Sequence, residues 1–458
     1  MTSATPDGPS SEVTRRERPM CDPTALTFAI DDPFAARAAA TAAMHGASVT
    51  DGPLEAVLRH VSATPEFEVY PVFADRAVGV LGSNQARLAI ADRRLPNKRL
   101  SGIHLLRPRG VPSERAVEIV AGWRRALVTD SRVAYAEHPM IAYPVLDLTT
   151  RDNVRAFVGE MPKSGCKDAV KLACNEQWGL RHCGFDCIWD ELDTGFDPGP
   201  VGILDIGMEP KSPTELGSRV VHYYKPPGDP FPSTHPAAVA GIISAIRDGT
   251  DDERMRGCCS ASLLVFSIYS TERRDAAALY DVMRTLGQAP VRVVNASFES
   301  ECRDPSIDRM ITQYVEDGMV FVAAMGNRNG RRNATNWPAA HEDVIAVGAT
   351  QDLTNARYED SCTGNHIFMA APGVDILTLD PGSDSGYACI NGTSLAAPHV
   401  TAAIWLALRQ RPEWSAKEIR CLLQQSVQDP SRRWNASVGH GCLHVGKMAQ
   451  LLREGACG

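Results

Sequence analysis

Apolar positions along the chain show two textures. Between residues 61 and 145, short apolar pieces alternate with turn-forming stretches. Phe67-Glu68-Val69-Tyr70-Pro71-Val72-Phe73, Ala86–Ile90 and Ile103-His104-Leu105-Leu106 predict strands. Ser113 through Val120 begins a helix with Ser113 as its expected N-cap, although no Glu stands three residues on to complete a capping box. Arg132-Val133-Ala134-Tyr135-Ala136 predicts a further strand, so 61–145 reads as a small α+β domain. From 196 to 452 the pattern differs. Nearly continuous apolar runs at Val201–Leu204, Ser262–Ile268, Val291–Val294, Met319–Ala324 and Val344–Val347 predict strands covered on both faces. Helical patterns at 235–247, 272–286, 305–317, 394–410 and 415–427 alternate with them. That alternation implies an α/β domain with a parallel central sheet and helices on both faces. Residues 146–195 read as a connector. Residues 1–60 read as weakly ordered, apart from a short Ala-rich helix at Ala35–Met44.

Composition adds exclusions. A chain of 458 residues with 44% hydrophobic content can bury a large core and more than one domain. The net charge of -8, with no basic run interleaved with aromatics, argues against a nucleic-acid partner. No stretch reaches the roughly 18 apolar residues of a membrane span. Met1–Met20 lacks the apolar core of about 7–15 residues that marks a secretory signal. A cytoplasmic protein is expected, with unconventional export as the alternative. Thirteen cysteines is an odd number, so at least one is unpaired in a monomer. In a reducing cytoplasm most would be buried small hydrophobes. Cys166, Cys174, Cys183 and Cys187, beside His182, offer a zinc site or two local disulfides, but they lack paired C-x2-C elements. Plain thiols, and no metal, are expected there.

Four places carry chemistry. Val201-Gly202-Ile203-Leu204-Asp205 is an apolar strand ending in an acid, where ligands gather in open parallel sheets. His235 opens a helix of small apolar residues that would fix an imidazole. Ser394 follows Gly392-Thr393 at a helix start, where backbone N–H groups and the helix dipole favour an oxyanion. Val320–Ala324 runs through Met325-Gly326 to Asn327, whose amide could donate to that oxyanion. Each alone has a plain alternative: a capping carboxylate, a core histidine, an ordinary Ser N-cap and a Gly-Asn turn.

Together, in the order Asp, His, Asn, Ser, they resemble the subtilisin-like (subtilase) family. The string Gly392-Thr393-Ser394-Leu395-Ala396-Ala397-Pro398-His399-Val400 is the most diagnostic part. Gln177-Trp178-Gly179-Leu180, Val294-Asn295-Ala296-Ser297, Val344-Ile345-Ala346-Val347-Gly348-Ala349, Ala371-Pro372-Gly373 and Gly439-His440-Gly441-Cys442-Leu443 also fit, so the resemblance spans about 175–450. It implies a subtilisin-like fold and a serine endopeptidase acting on protein or peptide substrates. Ser394 would attack the scissile carbonyl, His235 would relay its proton, and Asp205 would hold the imidazole. The Ser394 N–H and Asn327 would stabilise the oxyanion. The resemblance further implies that Ser297-Phe298-Glu299 is an edge on which an extended substrate adds as a strand, and that Met325-Gly326 lines the primary specificity pocket.

The chain departs from the family pattern in places. Pro236-Ala237 replaces the usual Gly-Thr after the histidine, and proline is compatible with a first helical turn. Glu299 stands where the family carries glycine, so it would narrow the cleft and favour basic substrate residues. The loop Asp248-Gly249-Thr250-Asp251-Asp252-Glu253 offers oxygens for a calcium ion or is a solvated acidic loop; no other cofactor is expected. Residues 61–145 sit where members carry a propeptide, and Asp130–Pro139 looks like the end of one. The domain would then be an intramolecular chaperone and inhibitor of a zymogen, or alternatively a fused domain that is never removed. Rival functions are a silent pseudoprotease that acts as a binding module and a peptide-ligating acyl transferase. The retained Asp205, His235, Asn327 and Ser394 speak against the first, and no insertion that would exclude water marks the second.

Overall fold

Alternating hydrophobicity in the first third of the chain builds an antiparallel sheet, and the continuous runs that follow build a parallel one. The computed structural model describes residues 21–30, 67–71, 100, 103–108, 110–144, 177–207, 214–225, 233–246, 255–268, 276–328, 333–383, 386–431 and 433–457. Strands β1 (Leu26–Ile30), β2 (Phe67–Pro71) and β3 (Ile103–Pro108), helix α1 (Ser113–Leu127) and strand β4 (Val133–Glu137) form the N-terminal unit. Its sheet has the order β2-β3-β1-β4 with antiparallel pairs. Side chains alternate across β1. Leu26, Phe28 and Ile30 pack under Val120, Trp123 and Leu127 of α1. Thr27 and Ala29 face the rest of the molecule, and the Thr27 hydroxyl lies 2.6 Å from Ser306 Oγ.

For residues 21–30 the expectation of weak order does not hold, because β1 is buried and central in its sheet. Asp22-Pro23 and Asp32-Pro33 bracket it, and the Asp22 carboxylate accepts the Thr24 N–H at 2.9 Å. Ser113 is the first helical residue of α1 and not its cap. Pro112 holds the N-cap position with no side-chain cap. Ala35–Met44, Ala86–Ile90, Cys166, Cys174 and the loop 248–253 lie outside the described residues.

The remaining elements are β5 (Tyr143–Pro144), α2 (Trp178–Cys183), α3 (Trp189–Leu192), β6 (Val201–Asp205), β7 (Val220–Tyr224), α4 (His235–Ser244), β8 (Leu263–Ser267), α5 (Ala276–Leu286), β9 (Val293–Ala296), β10 (Phe298–Glu299), α6 (Pro305–Glu316), β11 (Val320–Ala324), β12 (Val344–Thr350), β13 (Ile367–Pro372), β14 (Ile376–Leu379), β15 (Tyr387–Ile390), α7 (Thr393–Gln410), α8 (Ala416–Gln425) and α9 (Val445–Glu454). Seven strands run parallel in the order β13-β12-β11-β9-β6-β8-β7. The expected α/β architecture is therefore present. One face is covered by α2, α3, α4, α7, α8 and α9, through residues such as Leu180, Val239, Ile404, Leu422 and Met448. The other is covered by α5 and α6, and its core includes Ala29, Ile103, Leu105 and Met140 of the N-terminal unit. The two sheets thus share apolar packing.

Residues 177–195 are part of the covering layer and not a connector. Leu180, Cys183, Phe185, Ile188 and Leu192 are all buried in the first core. Cys183 is a buried thiol and Cys187 an exposed one, while disulfides join Cys21 to Cys302 and Cys421 to Cys457. After β8 the chain crosses β6 and lays β9 on its other side, so the strand order reverses between β6 and β9. Crevices at the carboxyl ends of strands form at such a switch point.

Helix α7 runs through the interior and carries a buried histidine. The Nδ1–H of His399 donates to the Leu395 carbonyl at 2.9 Å, and Phe185 packs beside the ring. Burial pushes its pKa down from 6.5 to about 4. The unfolded chain takes up this proton at higher pH than the native chain does. Stability is therefore complete above the unfolded value and is lost as pH falls through the native one, by at most about 3 kcal/mol. Thermal midpoints should drop between about pH 6.5 and pH 4, and His399→Gln should flatten that slope by one proton's worth in a calorimetric pH series. An unchanged slope would rule out His399 as a contributor.

Candidate active site

The acid at the end of β6 is fully buried, and a buried carboxylate needs donors. Asp205 Oδ1 accepts the Ile206 N–H at 2.6 Å. His235 Nδ1 lies 2.7 Å from Oδ1 and 2.9 Å from Oδ2 of the same carboxylate. Because a carboxylate only accepts, Nδ1 carries the proton, and in the neutral ring Nε2 keeps its lone pair. His235 is the first residue of α4, and its own N–H donates to Ser233 Oγ at 3.2 Å. Pro236 follows in the first turn, where a missing N–H removes no helical bond. The Pro-Ala departure therefore leaves the histidine placed.

Ser394 sits in the first turn of α7 and is held by an indirect device. Pro398 has no N–H, so the carbonyl four residues before it, that of Ser394, loses its helical donor. The Ser297 hydroxyl supplies the bond at 3.3 Å. Ser297 Oγ in turn accepts from Asn295 Nδ2 at 2.8 Å, and Asn295 Oδ1 accepts the Thr401 hydroxyl at 2.9 Å. The end of β9 is thereby stitched to α7. Gly392 at φ 152° adopts a backbone angle that favours glycine at the turn into the helix. His235 Nε2 and Ser394 Oγ are both buried and make no hydrogen bond among the described residues. Such contacts often tighten only when substrate binds.

Asn327 follows β11 and is buried beside Ser394's helix. Its Oδ1 accepts both the N–H and the hydroxyl of Thr393, each at 3.1 Å. A backbone N–H can only donate, so this fixes which end of the amide points which way. Thr393 Oγ1 also accepts the Gly326 N–H at 3.1 Å. The sequence placed Thr393 in the diagnostic string but gave it no task; it is the clamp between β11 and α7.

The edge β10 pairs antiparallel with β5, Phe298 opposite Pro144 and Glu299 opposite Tyr143. Ser297-Phe298-Glu299 is therefore an edge that takes an added strand, and the strand on it belongs to the same chain. The Ser297 side chain is committed to the Ser394 carbonyl and its N–H to the Leu204 carbonyl at 3.2 Å, so neither is left for a peptide. The Met325 side chain is buried in the apolar core, and its carbonyl accepts from Asn336 Nδ2 at 3.2 Å. Gly326 has φ 96°, and a Cβ there would fall 2.0 Å from Asn336 Nδ2 and 2.7 Å from Glu299 Oε2. Glu299 is 4% exposed, and its Oε2 accepts the Asn327 N–H at 3.3 Å. Asn336, which no sequence signal singled out, thus joins Glu299 and Gly326 in one wall beside Asn327. Among the described residues no cluster of His, Cys, Asp and Glu is suited to hold a metal ion.

Asp205 ends β6, and Ser297 and Asn327 come after the neighbouring strands β9 and β11, all at the carboxyl edge of the sheet, while His235 and Ser394 lie in the first turns of helices packed on it. The profile of the subtilase family, Peptidase_S8, matches residues 192–441. The chain belongs to that family. It is 30% identical over 234 residues to subtilisin BL of Lederbergia lenta, which covers 50% of this chain and 82% of that protein. It is 28% identical over 267 residues to an alkaline protease of Shouchella clausii, covering 57% of this chain and 67% of that protein. Among solved structures it is similar to fervidolysin from Fervidobacterium pennivorans, a keratinolytic enzyme related to subtilisin, with a TM-score of 0.62 and 18% identity. That match covers 93% of this chain and 60% of fervidolysin. The psychrophilic subtilisin-like protease Apa1 matches with a TM-score of 0.50 and 16% identity, over 61% of this chain and 98% of its own. This subtilase is a subtilisin-like serine endopeptidase, a hydrolase whose substrates are proteins or peptides.

The Thr393 clamp has a measurable consequence. Thr393→Val keeps the shape but removes the hydroxyl that Asn327 and Gly326 share. Turnover on a peptide substrate should fall about 10- to 100-fold with little change in KM. An unchanged kcat would show that the clamp does not position Asn327.

Proposed function

We propose that this endopeptidase cuts through Ser394, His235 and Asp205, with Asn327 and the Ser394 N–H receiving the oxyanion. The observation that carries this is the buried Asp205–His235 contact at 2.7 Å, on a helix α4 that packs against α7, in whose first turn the buried Ser394 hydroxyl lies. In the first step Ser394 Oγ attacks the scissile carbonyl while Nε2 takes its proton. The imidazolium that forms is stabilised by Asp205. It then gives the proton to the leaving amine, and a water repeats the sequence on the acyl-enzyme. The oxyanion gains the Asn327 amide, aimed by Thr393, and the first N–H groups of α7.

The N-terminal domain is proposed to inhibit this site. β5 takes the backbone groups of β10 that an extended substrate would need, so Tyr143–Pro144 and a substrate compete for the same edge. Glu299 is proposed to favour a basic substrate side chain. Its carboxylate lies in the wall beside Gly326 and next to Asn327, where a negative charge opposes an oxyanion and a substrate cation would offset it.

Labelling with a fluorophosphonate probe and turnover of a peptide library test these roles together. Ser394→Ala should lose labelling and turnover, and Asn327→Ala should lose about 10²–10³ in kcat. Glu299→Gln should reduce the preference for Arg or Lys over Leu beside the scissile bond. Labelling retained in Ser394→Ala would refute the nucleophile, and an unshifted preference would refute the role of Glu299. Full peptidase activity from the uncut chain would refute the inhibitor.

A further inference from the structure

We infer that the Cys21–Cys302 disulfide is a site of thiol–disulfide exchange that keeps the N-terminal domain over the cleft until an external dithiol reduces it. The inference rests on the reading of that domain as an inhibitor. The bond closes a sequence separation of 281 residues and crosses between the two units. Cys21 lies just ahead of β1, and Cys302 lies three residues beyond Glu299, the end of the edge that β5 occupies.

The surroundings tie this corner to the blocking strand. Cys21 pairs with Met140 as an isolated β-bridge, and the Asp22 N–H donates to the Pro139 carbonyl at 3.0 Å. The Met140 N–H donates to Asp304 Oδ2 at 3.0 Å, and the Tyr135 hydroxyl lies 2.8 Å from Ser306 Oγ. The disulfide therefore anchors the stretch that leads directly into Tyr143–Pro144. A cut anywhere in residues 145–176 would divide the chain and still leave both parts joined through sulfur. A tethered inhibitor acts at an effective concentration of order mM, whereas a released one is diluted to the concentration of the enzyme.

Four buried thiols among the described residues are poor openers of the bond. Exchange needs a thiolate. Burial pushes the thiols of Cys183, Cys258, Cys259 and Cys442 up, which keeps them protonated. An external reductant meets the half-buried Cys21 before Cys302, which is buried. A thiolate of the dithiol bonds to the Cys21 sulfur. The Cys21–Cys302 bond breaks, and Cys302 leaves with the electron pair and takes a proton. The second thiol of the reductant then attacks its own sulfur in the mixed disulfide and frees Cys21. The cystine has gained two electrons and two protons, and the dithiol has become a disulfide.

The test uses the full, oxidised chain. Its connector is cut by its own activity or, where it stays single, by limited trypsin at Arg151, Arg155, Lys163, Lys167 or Lys171, with the trypsin then quenched. Fluorophosphonate labelling of the catalytic fragment is timed at nanomolar dilution, with and without dithiothreitol, in wild type, Cys21→Ser and Cys457→Ser. The last variant controls for the second disulfide, which dithiothreitol also breaks. Wild type and Cys457→Ser should label slowly and be accelerated about tenfold or more by dithiothreitol, with both fragments together on a non-reducing gel. Cys21→Ser should label fast without reductant, with its fragments apart. If cut, oxidised wild type labels as fast as Cys21→Ser, or its fragments separate without reductant, the tether is overturned while the Ser394 reading stands. If no variant labels under any condition, the Ser394 reading itself fails and the inference falls with it.

Discussion

A buried carboxylate sets the terms of this site. Asp205 is cut off from water at the end of β6 and must be satisfied by the protein. The Ile206 N–H provides one bond and His235 Nδ1 the other. Removing either partner would leave a buried charge unpaired, which typically costs several kcal/mol. The requirement fixes the start of α4 over the crossover between β6 and β9, and it fixes the tautomer of His235 as well. α7 then packs against α4 and brings Ser394 to the same edge. Position and protonation are therefore settled by one contact, in a family whose activity depends on both.

The serine is held by a different economy of bonds. Pro398 removes a helical hydrogen bond that most helices would keep, and the freed Ser394 carbonyl is taken by Ser297 from the neighbouring strand. The same strand leads straight into β10, the edge on which β5 lies. The nucleophile candidate and the edge β10 are thus parts of one hydrogen-bonded unit, so a strand laid on β10 is held close to Ser394. In this chain that strand is Tyr143–Pro144. The N-terminal domain reaches it by docking its own sheet against α5 and α6 and through the bond from Cys21 to Cys302.

Much of this was legible in the sequence, and the reasons differ by residue. Asp205, His235, Asn327 and Ser394 each stand where a strongly patterned element begins or ends, so local signals located them and their order joined them. The strands of the parallel sheet were legible because burial on both faces leaves unbroken apolar runs. β1 was not, although Leu26–Ile30 lies between two Asp-Pro pairs, because five residues carry little pattern alone and their pairing partners lie far along the chain. Glu299 was noticed as a departure, but its contact with the Asn327 N–H and its closeness to Asn336 arise from chain segments that only the fold brings together. The same holds for Thr393, whose hydroxyl looks like part of a motif and acts as a clamp. Cysteine pairing is beyond sequence reasoning altogether, since many connectivities fit any one set of positions.

The most direct measurement is a crystal structure of the enzyme, freed of its N-terminal domain by cutting and reduction, after reaction with a peptide chloromethyl ketone. The account predicts one covalent bond to Ser394 Oγ and one to His235 Nε2. It also predicts a tetrahedral oxygen about 2.7–3.1 Å from Asn327 Nδ2 and the Ser394 N–H, and a peptide backbone paired with Phe298–Glu299. A reagent bonded to other side chains, or an oxygen directed away from Asn327, would contradict it.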